Sequence, residues 1–184
     1  VEMFETETFE EARSLAGLLD SRNRERQKIQ QEITELALLA TEELSDQRFV
    51  VVAGEGWHRG VIGLAASRIA ERLHRPTIVL SAENGVAHGS ARSVGGFHLL
   101  KALETCGDLF EQFGGHAAAA GMKIKTENID RLRELLNSHA REAISEEGLT
   151  PILSIDAHLS SATLGFGVLE ELAQFEPFGE GNPK

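Results

Sequence analysis

Residues 49–90 change their hydrophobic periodicity in a set order, and that order leaves few folds open to the chain. The apolar run Phe49, Val50, Val51, Val52, Ala53 reads as a strand. Glycines follow at 54, 56, 60 and 63, and Val61, Ile62, Ala65, Ile69 and Leu73 then lie on one helical stripe. The spacing predicts a helix over 58–73. Pro76 opens a second apolar run, 77–81, and Asn84-Gly85 is a strong hairpin signal that pairs it with a strand over 86–90. A helix over 97–105 carrying Leu99, Leu100 and Leu103 inward, a strand over 119–125 and a helix over 127–146 complete the unit. The fold class is α/β: a mixed sheet of about four or five strands flanked by helices.

This unit is flanked on both sides. Residues 7–44 lack Pro and contain a single Gly, with Leu15, Leu18, Leu19, Ile29, Ile33, Leu36 and Leu39 at helical spacing. They predict a long helical connector, one helix or two broken near 21–23. Beyond Gly148, Ile152, Ser154 and Asp156 alternate with Leu153, Ile155 and Ala157, which fits one strand, and a short helix is expected over 164–174. The domain boundaries expected are 1–47, 48–147 and 148–184.

The chain has 184 residues, 41% of them hydrophobic, enough for one core of ordinary globular kind. No apolar run is long enough to span a bilayer and no signal-peptide pattern is visible, so neither a membrane nor a secretory route is expected. The single cysteine, Cys106, excludes an internal disulfide and fits a reducing, cytoplasmic setting. With 18 basic and 29 acidic residues the net charge is −11, which argues against a broadly nucleic-acid-adhesive surface. The acidic excess lies in 1–53 and 123–184, while 54–122 is neutral and holds most of the histidines. A local grip on phosphate is compatible with that distribution.

Three motifs could form such a grip. In residues 114–121, GGHAAAAG, Gly114 and Gly115 allow close backbone approach, and the next residues could make one helical turn with free N–H groups, with His116 as a donor at its mouth. A tight loop closed on a buried alanine turn fits the same letters equally well. In GSARS, residues 89–93, an extended backbone puts Ser90 and Arg92 on one face, a hydroxyl beside a planar guanidinium fork, with Ser93 following. A solvated edge-strand arginine is the alternative. In GEGWHRGVIG, residues 54–63, His58 and Arg59 fall near the positive end of the helix that follows. The glycine spacing does not meet GxGxxG, which excludes a dinucleotide fingerprint. Trp57 could stack on a base, although a lone Trp beside a glycine turn more often caps a core. Asn23 and Arg26 share a helix face at i, i+3.

GEGWHRGVIGLAASRIAERLHRPTIVLS, GSARSVGGFHLLKALE and FGGHAAAAGM, in this order, closely resemble the DHH-associated domain of the RecJ-type exonucleases of the DHH family. LDSRNRERQ, residues 19–27, resembles the helix joining the catalytic DHH domain to that domain, and FEPFGEGNP, residues 175–183, resembles the entry to the family's OB-fold. The resemblance implies a single-stranded-DNA-specific 5′→3′ exonuclease of DNA repair and recombination, of which this chain holds the strand-binding part. The catalytic half would carry two manganese or magnesium ions. Here no Asp-His-His occurs and Asp20, Asp46, Asp108, Asp130 and Asp156 are scattered, so this chain is expected to bind no metal and to be inactive alone. The implied partners are single-stranded DNA, the DHH catalytic domain and the OB-fold.

By the same resemblance Ser90, Arg92 and Ser93 would grip a phosphate, Gly114, Gly115 and His116 would hold a phosphate near the scissile bond, His58 and Arg59 would support the cleft wall, and Arg26, beside Asn23 on a helix that lies against the cleft, would reach the nucleic acid. Two other readings stay open. One is an accessory domain of a DHH-family phosphodiesterase acting on short oligonucleotides or cyclic dinucleotides, and the other is a scaffolding module whose glycines are purely structural.

Overall fold

The computed structural model describes every residue except 1, 42, 43, 45, 154, 156, 157, 162, 180, 183 and 184. The chain divides into two compact units, Val1–Pro151 and Ile152–Lys184. The first contains α1 (Glu2–Glu5), α2 (Phe9–Thr41), β1 (Val50–Glu55), α3 (Ile62–Leu73), β2 (Thr77–Glu83), β3 (Val86–Arg92), α4 (Leu99–Glu104), β4 (Phe110–Gly115), β5 (Ala119–Lys125) and α5 (Ile129–Ala143). The strands form one sheet in the order β1-β2-β3-β5-β4. β1 and β2 are parallel, joined by the crossover helix α3, and the remaining pairs are antiparallel. This is the mixed α/β sheet that the periodicities predict.

Strand alternation builds two cores from one sheet. Phe49, Val51, Ile78, Leu80, Ala87, Ala91, Met122 and Ile124 face α4 and α5, where they meet Leu99, Leu103, Leu132 and Leu136. Val50, Val52 and Val79 face the other way, onto Ile62, Ala66 and Ile69 of α3 and Ala37 of α2. The β2–β3 hairpin turns at Asn84 and Gly85, both with positive φ (52° and 79°), the conformation that an Asn-Gly turn supplies at least cost.

The elements depart from the sequence expectation at four places. α2 runs unbroken through 21–23, where Ser, Arg and Asn lower helix propensity by only tenths of a kcal/mol each, roughly, with no Gly or Pro to stop it. α3 begins at Ile62 rather than at 58, because the Gly60 N–H donates to His58 Nδ1 at 3.1 Å and holds these residues in a turn. β4 is an additional strand, and residues 116–118 are the tip of a β4–β5 hairpin rather than a turn of helix. In the second unit Ile152, Leu153 and Ile155 are exposed and in no strand, while positions 154, 156 and 157 of the expected strand lie outside the described residues. The short helix expected there is α6 (Phe166–Ala173).

β1 is an edge strand, and α5 closes it. The buried Asn137 side chain accepts from Phe49 N–H at 3.0 Å and donates to Phe49 C=O at 2.8 Å, while Arg133 Nε donates to Val51 C=O at 2.9 Å. These contacts take up backbone groups that a neighbouring strand would otherwise satisfy. Asn137→Ala should therefore lower unfolding stability by about 1–3 kcal/mol. Urea denaturation measures this directly, and a change smaller than about 0.5 kcal/mol, the usual size for a surface substitution, would contradict the assignment.

Candidate nucleic-acid interface

The sheet is wider than its helical cover on one side. α2 packs against β1, and α3 lies over β2 and β3. Within the first unit no helix packs on that face of β4 and β5 among the described residues, and their sequence agrees. On β5 the uncovered face carries Ala119, Gly121 and Lys123, whereas the opposite face carries the buried Ala120, Met122 and Ile124. Cross-strand pairing puts Gly114 of β4, Gly121 of β5 and Ser90 of β3 in one row, with Gln112, Lys123 and His88 in the next.

This floor is open. A Cβ added at Gly114 would meet nothing within 4 Å, and one at Gly121 only the Gly89 carbonyl oxygen at 4.0 Å. Neither glycine has positive φ. Glycine inside a strand costs roughly 0.5–1 kcal/mol relative to alanine, and no local contact offsets that cost here. Glycine inside a strand often marks a bulge, a bend or the close approach of a ligand or another backbone, and the register shift of β4 falls at Phe110/Gln112 rather than at this pair. His88, Gln112, Gly114, Gly121 and Lys123 line a concavity of about 360 Å³.

Arg92 stands at the border of floor and helix. Its Nε donates to Ser67 Oγ (3.1 Å), and its Nη1 donates to Ser90 Oγ (3.0 Å) and to the Ala91 carbonyl (2.7 Å). Gly63 makes room for it, since a Cβ there would lie 3.2 Å from Nη2 and 3.1 Å from Ser90 Oγ. Among the described residues the guanidinium has no carboxylate partner: neutral oxygens fix its position and leave its charge uncompensated. A half-buried, oriented, unneutralised guanidinium suits an anionic oxygen with forked geometry.

The other predicted residues divide into groups. Ser90 and Arg92 share a face as expected. Ser93 closes a turn, its hydroxyl donating to Phe97 C=O and its N–H to Ala118 C=O at 2.9 Å, so it anchors the hairpin tip beside Arg92. His116 is exposed at that tip. Its N–H donates to Ala119 C=O at 2.8 Å, and its Nδ1 accepts from Ala118 N–H at 3.3 Å. Two of the N–H groups expected to cradle an anion are thus engaged within the turn, and the exposed imidazole adds a donor at the tip.

Gly115 is required by its surroundings, because a Cβ there would lie 2.3 Å from the Ala119 carbonyl oxygen. His58 and Arg59 sit in the β1–α3 loop, with Arg59 3.5 Å from Glu83. Asn23 and Arg26 do share a helix face: Asn23 Oδ1 accepts from Arg26 Nη2 at 2.9 Å, and Gln30 Oε1 accepts from Nη1 at 3.0 Å. Trp57 packs against the apolar side chains of α2 and α3, as a core cap does.

Sequence reading missed His88, Gln112 and Lys123. Lys123 is paired with Glu111 at 2.8 Å, and this hydrogen bond, ahead of the surrounding positive charge, holds the Glu111 carboxyl below its ordinary range. His88 is pushed down from the ordinary imidazole value by burial first and then by Arg59 and Lys123, against the smaller opposing pull of Glu111 and Glu83. The described residues do not fit a metal pair, because no three His, Cys, Asp or Glu side chains among them converge.

Residues 46–142 match the family model described as the DHHA1 domain, and the chain belongs to that family. It is 40% identical, over 95% of its length, to the single-stranded-DNA-specific exonuclease RecJ of Bacillus subtilis, and 36% identical, over 95% of its length, to the protein of that name from Dickeya dadantii. It spans 22% and 32% of those proteins, respectively. The crystal structure of RecJ from Thermus thermophilus in complex with Mn²⁺ superposes with a TM-score of 0.82 at 28% identity, covering 97% of this chain and 26% of that one.

The glycines separate structural from surface roles. Gly115→Ala should destabilise the protein by about 1–3 kcal/mol through overlap with fixed backbone. Gly121→Ala, with open space at its Cβ, should leave stability unchanged or raise it by up to about 1 kcal/mol. Thermal denaturation of the two variants checks this, and equal losses in both would show the floor to be packed rather than open.

Proposed function

We propose that this DHHA1 domain holds the sugar-phosphate backbone of single-stranded DNA on the open half of its sheet. In that role it serves as the strand-gripping part of a single-stranded-DNA-specific 5′→3′ exonuclease. The observation that carries the reading is the Gly114–Gly121 pair, an unfilled floor beside an oriented guanidinium with no carboxylate partner among the described residues. Glycines admit a phosphodiester to the sheet surface, Ser90 and Arg92 bind its oxygens, and His116 donates from the hairpin tip. Ser93 and Gly115 hold that tip in place, and so act through it. Arg59 and His58 border the floor at the β1–α3 loop, and Asn23 with Arg26 extends the polar surface along α2.

All of these contacts are to phosphate rather than to base edges, and phosphate contacts position a strand without reading its sequence. That property suits degradation of any sequence. The hydrolytic chemistry belongs to a metal-bearing domain elsewhere in the same polypeptide, together with an OB-fold, and the setting is the cytoplasm. Among the described residues no helix is long and apolar enough to cross a membrane.

Arg92→Ala tests the reading. A charge-assisted phosphate contact is worth roughly 1.5–3 kcal/mol, and ~1.4 kcal/mol is a tenfold change in affinity. The variant should bind 5′-phosphorylated single strands on the order of tenfold to a hundredfold more weakly by fluorescence anisotropy. A smaller loss on unphosphorylated strands would assign the contact to the terminal phosphate, and an equal loss to an internal one. Unchanged binding to both would remove Arg92 from the interface. A preference for dinucleotides over longer strands would instead favour an enzyme of short oligonucleotides.

A further inference from the structure

The floor continues past the residues that the sequence singled out. On β3, His88, Ser90 and Arg92 alternate onto the same face, so His88 and Arg92 stand roughly 13 Å apart at ~3.3 Å per residue. Ser90 and Arg92 belong to one end of the floor, beside α3 and the hairpin tip. At the other end His88 is the cross-strand neighbour of Lys123, and both line the concavity floored by Gly114 and Gly121. The His88 imidazole makes no hydrogen bond among the described residues and is half-buried. The ammonium already has Glu111 as a partner at 2.8 Å, but the imidazole beside it over the glycine floor has none among the described residues.

We propose that His88 and Lys123 form a second phosphodiester subsite, occupied by a backbone phosphate further along the same strand than the one held by Ser90 and Arg92, and that binding there takes up a proton on His88. The proposal rests on the reading that the open face holds a single strand. The groups facing His88 are Arg59 from the β1–α3 loop, Glu83 from β2, Lys123 from β5 and Glu111 from β4. In the free protein burial and then the two cations lower the imidazole pKa and favour its neutral form. A bound phosphodiester, anionic throughout, adds negative charge beside the ring and favours the imidazolium. The bound state then has the higher imidazole pKa, so affinity rises as pH falls through the window between the free and bound values. The same phosphate competes with Glu111 for Lys123, which keeps the subsite closed to weak anions.

The test is oligothymidylate binding by fluorescence anisotropy between pH 8 and pH 5.5, at constant salt, for the unaltered protein and for His88→Gln, His116→Gln and Arg92→Ala. The unaltered protein should gain affinity on the order of tenfold toward acid pH, the equivalent of ~1.4 kcal/mol. His88→Gln should lose most of that gain, His116→Gln should lose less of it than His88→Gln, and Arg92→Ala should keep it. An acid gain in His88→Gln equal to that of the unaltered protein overturns the subsite, while a loss of affinity in Arg92→Ala at every pH leaves the wider reading standing. No binding by the unaltered protein, or none lost in Arg92→Ala, overturns the wider reading and this one with it. A measurement without substitution guards against misfolding: the His88 imidazole resonance should titrate at higher pH when oligothymidylate is bound, and an unmoved titration overturns the proposal.

Discussion

On one face this five-stranded sheet is wider than the helical layer laid over it, and the character of this domain follows from that mismatch. Five strands at about 4.8 Å spacing span roughly 19 Å, while a helix with its side chains covers about 10 Å, and α2 packs on α3 at the β1 edge, so that α3 alone lies over the inner strands. α4 and α5 together seal one face. On the other, α2 and α3 cover β1, β2 and the near side of β3, and the cover ends there. Wherever a helix sits the sheet presents Val50, Val52 and Val79; where none sits it presents glycine, alanine and polar residues. An uncovered sheet face rich in valine would be an aggregation hazard. One built of Gly114, Gly121, Gln112 and Lys123 stays in water and leaves its backbone open to approach.

Charge placement agrees with this division. The chain as a whole is acidic, at −11, and several of its cations are already matched. Arg24 pairs with Asp20, Arg131 with Glu134, Arg133 with Asp130 and Lys123 with Glu111. Arg92 differs because Ser67, Ser90 and a carbonyl hold it without neutralising it. An acidic surface with a rigid, unneutralised cation discourages loose adhesion to nucleic acid while allowing a defined contact, since non-specific affinity scales with the number of phosphates neutralised. The neutral 54–122 segment carries this contact, which is why bulk composition understates it.

The fold was legible where one period dominates a segment. Phe49, Val51 and their neighbours could only be a strand, the Val61–Leu73 stripe could only be a helix, and Asn84-Gly85 fixed the hairpin between β2 and β3. Ser90 and Arg92 were placed on one face by alternation alone. The errors around the open floor have a common source in non-local pairing. Residues 117–120 are all alanine, the best helix former, yet pairing with β3 and β4 makes 119 and 120 a strand and 116–118 its turn; tertiary contacts override propensity. β4 was invisible because Glu111, Gln112, Gly114 and Gly115 carry neither β-propensity nor an apolar alternation. His88 and Lys123 meet only through the β3–β5 register, which no local window contains.

The central claim is that nucleic acid lies on the open half of the α3 face. Backbone amide chemical shifts of isotopically labelled protein, recorded while a 5′-phosphorylated oligothymidylate is added, locate the contact residue by residue. The account predicts that the largest changes fall on Ser90, Arg92, Gly114, Gly121 and His116, with the α5 face of the sheet unmoved. Changes confined to α5, to the outer surface of α2 or to the second unit, with Gly114 and Gly121 silent, would contradict it.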